Sequence, residues 1–320
     1  MHYTGAMQSP RPELQLTTTR VAYFKKLITR QNHLCSEVRL CFDNDGLTMY
    51  GTSATDSVVL TLSIGKIFFE HYECNQPRIV RINIYHLYKI IKRATSFMYH
   101  TVHIHIFQNT TGEDDAYNWM HLLFETENRT DKFHTRVYSV DEASLPLSRE
   151  SLVQLSPSQS VQMHIDGALL MDALDKFDKD MFQTVTFTLR DKHKTTATQG
   201  AKMYKMDMKA GDALLVVRGK TDCISGNVSV RTVSKTMHSK HLGIHKHKYS
   251  LELLCKSMTF YKLSQTSTCS IQFFPYFKLM CITYCLPHNV VAEIILPHMP
   301  NTVWDDLSGT PSSSDTDDSS

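Results

Sequence analysis

What the 320-residue sequence lacks narrows it first. It has no run of about 18 uninterrupted apolar residues, so no membrane-spanning helix is expected. Its start, MHYTGAMQSPRPE, has no signal-peptide pattern, which makes a soluble, intracellular protein the expectation. The eight cysteines (Cys35, Cys41, Cys74, Cys223, Cys255, Cys269, Cys281, Cys285) include no CxxC pair and sit mostly inside apolar runs. They read as reduced core thiols, not as disulfides or metal ligands. The Asn-x-Ser/Thr matches at Asn109, Asn128 and Asn227 then carry no glycosylation meaning. There is no GxxxxGK[ST] phosphate loop, no GxSxG, no HExxH, no GxGxxG after a strand, and no carboxylate cluster spaced for two metals. The expectation is therefore no catalytic residue, no metal and no cofactor, with an enzyme lacking local signatures kept as the rival class.

The charge looks balanced, with 34 Lys+Arg against 32 Asp+Glu, until the end of the chain is separated from the rest. Residues 301–320 hold Asp305, Asp306, Asp315, Asp317 and Asp318 and no Lys or Arg. Taking these five from the 32 acids leaves 27 in residues 1–300, against 34 basic residues, a balance of +7. A mildly basic folded part permits a polyanionic partner without requiring one. The Ser- and Asp-rich end, 298–320, reads as a disordered acidic tail.

Along the chain, Val21, Phe24, Leu27 and Ile28 recur at helical spacing between Thr17 and Thr29, with Lys25, Lys26 and Arg30 mainly on another face. Alternation in Glu37–Asp43, the Asn44-Asp45-Gly46 turn, Leu47–Tyr50 and Ser57–Ile64 predict a hairpin-rich sheet. A second helix, Tyr85–Ala94, repeats the basic face with Lys89, Lys92 and Arg93. Strands are expected at Arg78–Ile84 ahead of it, and at Thr101–Phe107, Trp119–Glu125 and Phe133–Val140 after it. The stretch from Asp141 to Ser160 breaks the periodicity and reads as an interdomain connector. Helices at Gly167–Phe177 and Ser250–Tyr261, with strands at Thr184–Arg190, Ala201–Met208, Ala213–Arg218, Thr268–Phe274, Lys278–Leu286 and Val290–Leu296, repeat the plan at offsets of about 147 and 165 residues. The stretch KTMHSKHLGIHKHK reads as an exposed cationic loop, with zinc binding by His238, His241, His245 and His247 as its alternative. Two similar helix-and-strand units argue against a doubly wound parallel sheet.

The blocks AYFKKLI (Ala22–Ile28), DNDGLTMYGTSATDSVVLTL (Asp43–Leu62), HYEC (His71–Cys74) and INIYHLYKIIKRA (Ile82–Ala94) resemble, in order and spacing, the first domain of the proliferating cell nuclear antigen family. SLELLCKSMTFYKLS (Ser250–Ser264) and AEIILP (Ala292–Pro297) resemble that family's last helix and final strand. The resemblance runs from Leu14 to Pro297 and is thinnest between Ala168 and His247. It implies an α+β fold, the DNA clamp or processivity fold, of two similar domains each with two helices packed on antiparallel sheets. The expected boundaries are an N-terminal extension 1–13, domain one 14–140, connector 141–159, domain two 160–297, and the tail 298–320.

The resemblance also implies a function: a DNA polymerase processivity factor, a homotrimeric ring around double-stranded DNA that tethers polymerase and other proteins, placed on DNA by a clamp loader in the nucleus. Its divergence resembles that of clamps encoded by large DNA viruses, which would place it in the host nucleus. Lys25, Lys26, Lys89 and Lys92 match family positions that face DNA, and Arg30 and Arg93 extend those faces. Sequence-independent contacts of this kind go to phosphate; the bland alternative is ordinary solvated helix charge. In domain two, Asp172 and Asp175 stand where the family tends to carry arginine, leaving Lys176, Lys179 and Lys256 as the candidates. A pocket for partner peptides is implied under the connector, with Leu145, Pro146 and Leu147 at its rim. Its floor would come from Thr52, Ser57, Val58, Leu279, Ile294, Ile295, Leu296 and Pro297. Leu145 and Leu147 could equally pin the connector to the sheet. The other readings are a herpesvirus-like monomeric or dimeric accessory protein, a subunit of the heterotrimeric checkpoint clamp, and a metal-dependent DNA-processing enzyme.

Overall fold

The computed structural model describes residues 12–299 apart from 56, 94–98, 108–116, 142–144, 147, 156–159, 192–205, 209–212, 221–224, 239–244 and 265. The first unit begins with a strand, β1 (Leu14–Thr18), where the sequence pattern predicts a helix from Thr17. The β-branched run Thr17-Thr18-Thr19 suits a pleated surface better than a helix, and β1 pairs with two strands at once. The helix α1 starts at Val21 and continues to Leu34, because Gln31 and Leu34 extend its buried stripe past Thr29.

Next come β2 (Glu37–Phe42), β3 (Gly46–Thr52), β4 (Val59–Gly65), β5 (His71–Cys74) and β6 (Arg78–Asn83), then α2 (Ile84–Arg93), β7 (Thr101–Phe107), β8 (Tyr117–Glu125) and β9 (Thr130–Ser139). The β2–β3 turn is held by Asp43, whose Oδ1 accepts from the backbone N–H groups of Asp45 at 2.8 Å and Gly46 at 3.0 Å. Gly46 has φ 149°, and a Cβ there would lie 2.2 Å from the Ile64 carbonyl oxygen, so only glycine fits.

A short helix, α3 (Arg149–Leu155), lies in the connector and opens the second unit. It is followed by β10 (Ser160–Asp166), α4 (Gly167–Asp175), β11 (Thr184–Asp191), β12 (Met206–Met208), β13 (Ala213–Lys220), β14 (Ser225–His238), β15 (His245–Ser250), α5 (Leu251–Met258), β16 (Thr268–Phe274), β17 (Leu279–Leu286) and β18 (Val290–Pro297). Caps define the helix starts: Asp166 accepts from the N–H groups of Ala168 and Leu169, and Ser250 from that of Leu253. The expected cationic loop is corrected in part. Lys235–His238 completes β14 and His245–Lys248 opens β15, their registers fixed by pairing with β10 and β11; residues 239–244 lie outside the described ones. The N-terminal residues 1–11 and the acidic tail from Asn301 also lie outside them, as does Cys223.

All the strand pairs are antiparallel, and the two units repeat one topology. In the first, β1 pairs with β5 and β7, β2 with β3 and β6, β3 with β4, and β7, β8 and β9 follow in a meander. In the second, β10 pairs with β14 and β16, β11 with β13 and β15, β13 with β14, and β16, β17 and β18 form the meander. The long β14 does the work of both β4 and β5: Ser225–Arg231 pairs with β13 and Thr232–His238 with β10. A register shift at His164/Ile165 accompanies its passage from one partner to the other. The units are joined by β4 and β18, paired from Val59↔Ile295 to Ile64↔Val290.

Candidate functional site

Alternation along the strands turns one set of side chains toward the helices, where α1 buries Val21, Phe24, Leu27 and Ile28, and α2 buries Ile84, Leu87 and Ile91. With their apolar stripes used up in this way, the helices leave their polar faces outward. Helix α1 packs on α2, α4 on α5, and α1 on α5 across the two units, so the helices gather on one side of the molecule. On α1, Lys25, Lys26, Thr29 and Arg30 with Ala22 line an open hollow of about 290 Å³. Near its end, burial and then the charges of Arg30 and Lys256 hold His33 below its ordinary pKa. The packing of α1 on α5 sets the helix that carries Lys256 beside the α1 face.

Helix α2 presents Lys89, Lys92 and Arg93, all exposed, and has no acid between Ile84 and Arg93. Each of these cations stands over a ring: Lys89 Nζ is 4.9 Å from the Tyr85 centroid, Lys92 Nζ 5.5 Å from Tyr88, and Arg93 Cζ 5.8 Å from Phe133. In the second unit the candidates are placed differently. Lys176 Nζ is 3.2 Å from the Asp172 carboxylate and Lys256 Nζ 2.6 Å from that of Glu252, each one turn away. Lys179 is close enough to lower the pKa of Glu252, after the larger effect of Lys256. The second-unit face therefore carries the basic residues expected of it, largely matched by acids on the same helices.

The connector side departs from a simple open pocket. Strand alternation divides the expected floor: Ile294 and Leu296 enter the main core, together with Val58, while Ile295 faces the other way. Over Ile295 sits α3. Its Leu152 is 0% exposed and packs with Ile295, Phe274 and Cys281, flanked by Val59, Val153, Phe277 and Leu279. Arg149 fastens the helix, donating from Nε to Gln272 at 3.0 Å and lying 3.5 Å from Glu293. Burial raises the Glu293 pKa against the opposing effect of Arg149. Thr52 is buried, Ser57 is exposed in a hydroxyl-bonded turn with Ser53 and Thr55, and Leu145, Pro146 and Pro297 are half-buried. Leu147 lies outside the described residues.

The sequence pattern gives no prediction of α3. The available signal is Ser148, which accepts from the Ser151 N–H at 3.1 Å, followed by Leu152 and Leu155 at near-helical spacing. Tyr85 and Tyr88 are likewise absent from the sequence-predicted site, although they stand in view as aromatics among the lysines of α2. Of the cysteines, Cys35, Cys255, Cys269 and Cys281 are buried free thiols, Cys41 and Cys74 half-buried, and Cys285 exposed. Among the described residues no three His, Cys, Asp or Glu side chains are grouped to hold a metal ion, and no helix is long and apolar enough to cross a membrane.

Strand edges complete the site. The counterparts of β4 and β18 in the repeated topology are the first half of β14 and β9. Among the described residues β9 pairs on one side with β8 and touches β6 only at Tyr138 and Ser139, which leaves its edge from Thr130 to Val137 without a strand partner. Among the described residues, the Ser225–Arg231 half of β14 pairs with β13 alone.

Comparison with known proteins agrees with this geometry. Residues 13–144 match the family described as proliferating cell nuclear antigen, N-terminal domain. Proliferating cell nuclear antigen 2 of Plasmodium falciparum is 30% identical over 81 residues, a stretch covering 24% of this chain and 31% of that protein. The PCNA2–PCNA3 complex of Sulfolobus tokodaii superposes with a TM-score of 0.60 at 13% identity, covering 89% of this chain and 98% of the other. The proliferating cellular nuclear antigen of Entamoeba histolytica gives 0.63 at 12% identity, covering 91% and 100%. Residues 13–144 are thus similar to the first domain of the proliferating cell nuclear antigen family, and the two units together have the fold of the matched clamp structures.

Proposed function

We propose that the chain is a subunit of a DNA sliding clamp, a ring that encircles duplex DNA and keeps a polymerase on it without chemistry of its own. The observation that carries this reading is the β4–β18 joint within the chain. Because the second unit repeats the first, β14 of one copy and β9 of the next offer the same antiparallel match. Head-to-tail contacts of this kind close into rings when the rotation per copy fits. The resemblance favours three copies, and one matched structure is itself a complex of two such clamp proteins.

In such a ring the helices would line the hole. Lys25, Lys26, Arg30, Lys89, Lys92 and Arg93 would meet phosphates, contacts that hold any sequence and let the ring slide. Topological linkage would supply most of the retention. Polymerase and other partners would be tethered by short peptides at the connector side, and a loader would open the ring onto DNA.

The test is light scattering behind size exclusion across a range of concentrations. A mass near three times 36.7 kDa is the expected result. A monomer or dimer at every concentration would remove the ring and leave a clamp-fold accessory protein that works as one or two copies. A trimeric mass reached only with a second, different clamp protein would replace the homotrimer with a mixed ring.

A further inference from the structure

Helix α2 carries more than charge. Tyr85, in its first turn, is 51% exposed, while the buried stripe of the helix consists of Ile84, Leu87 and Ile91. Packing therefore does not account for a large ring at this position. One turn on, Lys89 sits over that ring at 4.9 Å, and Tyr88 and Lys92 repeat the pair at 5.5 Å. Spacing of i, i+4 and i+7 lines up Tyr85, Lys89 and Lys92 as one outward strip, with no acid on the helix to oppose an anion. Aromatic faces interleaved with cations are the chemistry that holds unpaired nucleotides: bases stack on the rings and phosphates meet the ammonium groups. Duplex DNA can use only the second half of this arrangement, since its bases are already stacked on each other.

We propose that the exposed face of α2 binds single-stranded nucleic acid, with Tyr85 as the platform for an unstacked base and Lys89 and Lys92 on the flanking phosphates. The proposal rests on the clamp reading in using a face taken there to meet duplex DNA, but the single-stranded contact needs no closed ring. On a clamp it would grip template exposed beyond a primer end or across a gap.

Anisotropy of the full chain with a labelled dT oligonucleotide of about twenty residues, and with a duplex of the same length, tests it. Stacking on an aromatic side chain is worth about 1–3 kcal/mol per base, so Tyr85→Ala is expected to weaken dT binding roughly tenfold and duplex binding less than twofold. Tyr85→Phe keeps the ring and should bind dT like the parent, whereas Lys89→Met should weaken both ligands. Equal effects of Tyr85→Ala on both ligands, no effect on dT, or no measurable dT binding by the parent would each overturn the proposal. A monomeric or dimeric mass at every concentration would remove the ring and leave Tyr85-dependent dT binding standing, whereas a trimer whose dT binding ignores Tyr85→Ala would remove this proposal alone, so the two failures are distinguishable.

Discussion

A helix of seven residues cannot hold itself together in water, so α3 exists because Leu152 is buried against Phe274, Cys281 and Ile295. Leu152→Ala removes most of that anchor. Deletions of this type in a packed site cost about 2–4 kcal/mol. The penalty here falls on a segment that can leave the surface alone, so it should appear as local opening ahead of global unfolding. Cys281 reports the opening directly: it is fully buried beneath Leu152, and burial pushes its thiol pKa up to about 12. A shift of about 2–4 kcal/mol in the opening equilibrium multiplies the labelling rate of a protected thiol by roughly 30 to 1,000. The assay is alkylation of the native protein, with the modified cysteine located by mass spectrometry and the thermal midpoint recorded in parallel. Much faster modification of Cys281, with Cys35 and Cys269 still protected, is the expected outcome, and the midpoint falls with it because the docked state is the reference for both equilibria. If the midpoint falls by the full equivalent while Cys281 stays as slow as Cys269, α3 is an integral part of the core and the reasoning is wrong.

Salt dependence, pH and a single turn glycine give three further checks. Removing one cation that meets a phosphate lowers the slope of log affinity against log salt by about 0.9 on duplex DNA. Lys25→Ala with Lys26→Ala should therefore flatten the slope by about two, while Lys176→Ala, whose ammonium is paired with Asp172, should change it by much less. His105 and His121 are held below their ordinary pKa of 6.5 by burial first, then by the charges of His103, Lys132 and His71 around the former and of Lys132, His134 and His105 around the latter. The unfolded chain therefore binds more protons than the folded one, and stability fully present above pH 6.5 should decline as pH falls below it. The His105→Gln, His121→Gln pair should have a flatter denaturant-midpoint profile between about pH 7 and 5. Gly46→Ala forces a side chain onto the Ile64 carbonyl at φ 149° and should lower stability by about 2 kcal/mol or more in urea titration.

The first unit is legible in the sequence because its helices are amphipathic and its turns carry their own chemistry. The Asp43-to-Gly46 turn and the basic faces of α1 and α2 stand in the sequence as they stand in the fold. The β1 strand is not legible, since five residues ending in threonines carry no period long enough to compete with the helix that follows. In the second unit β14 escapes because its 14 residues serve two sheets, so a shift of register interrupts the alternation midway. The connector pocket differs from its expectation for another reason. Ile294, Ile295 and Leu296 are adjacent in sequence, but a strand sends neighbours to opposite faces, and only Ile295 reaches the surface that α3 covers. No local pattern could supply that cover, because it joins α3 to strands far along the chain.

The contrast between the two helix faces bears on how a ring would hold DNA. Lys25, Lys26, Arg30, Lys89, Lys92 and Arg93 have no acid on their own helices, whereas in the second unit Asp172 and Glu252 stand one turn from Lys176 and Lys256. Exposed ion pairs of this kind add little stability, so their main consequence is to the field. A ring of identical copies would then alternate strongly and weakly basic arcs around its hole. Duplex DNA, with charge distributed evenly along its backbone, would be drawn toward the first-unit arcs and would lie off the axis, touching one or two subunits at a time. Loose, off-centre contact of that kind favours sliding over fixed binding. It also brings the Tyr85 strip of one subunit nearest to any strand that has come unpaired.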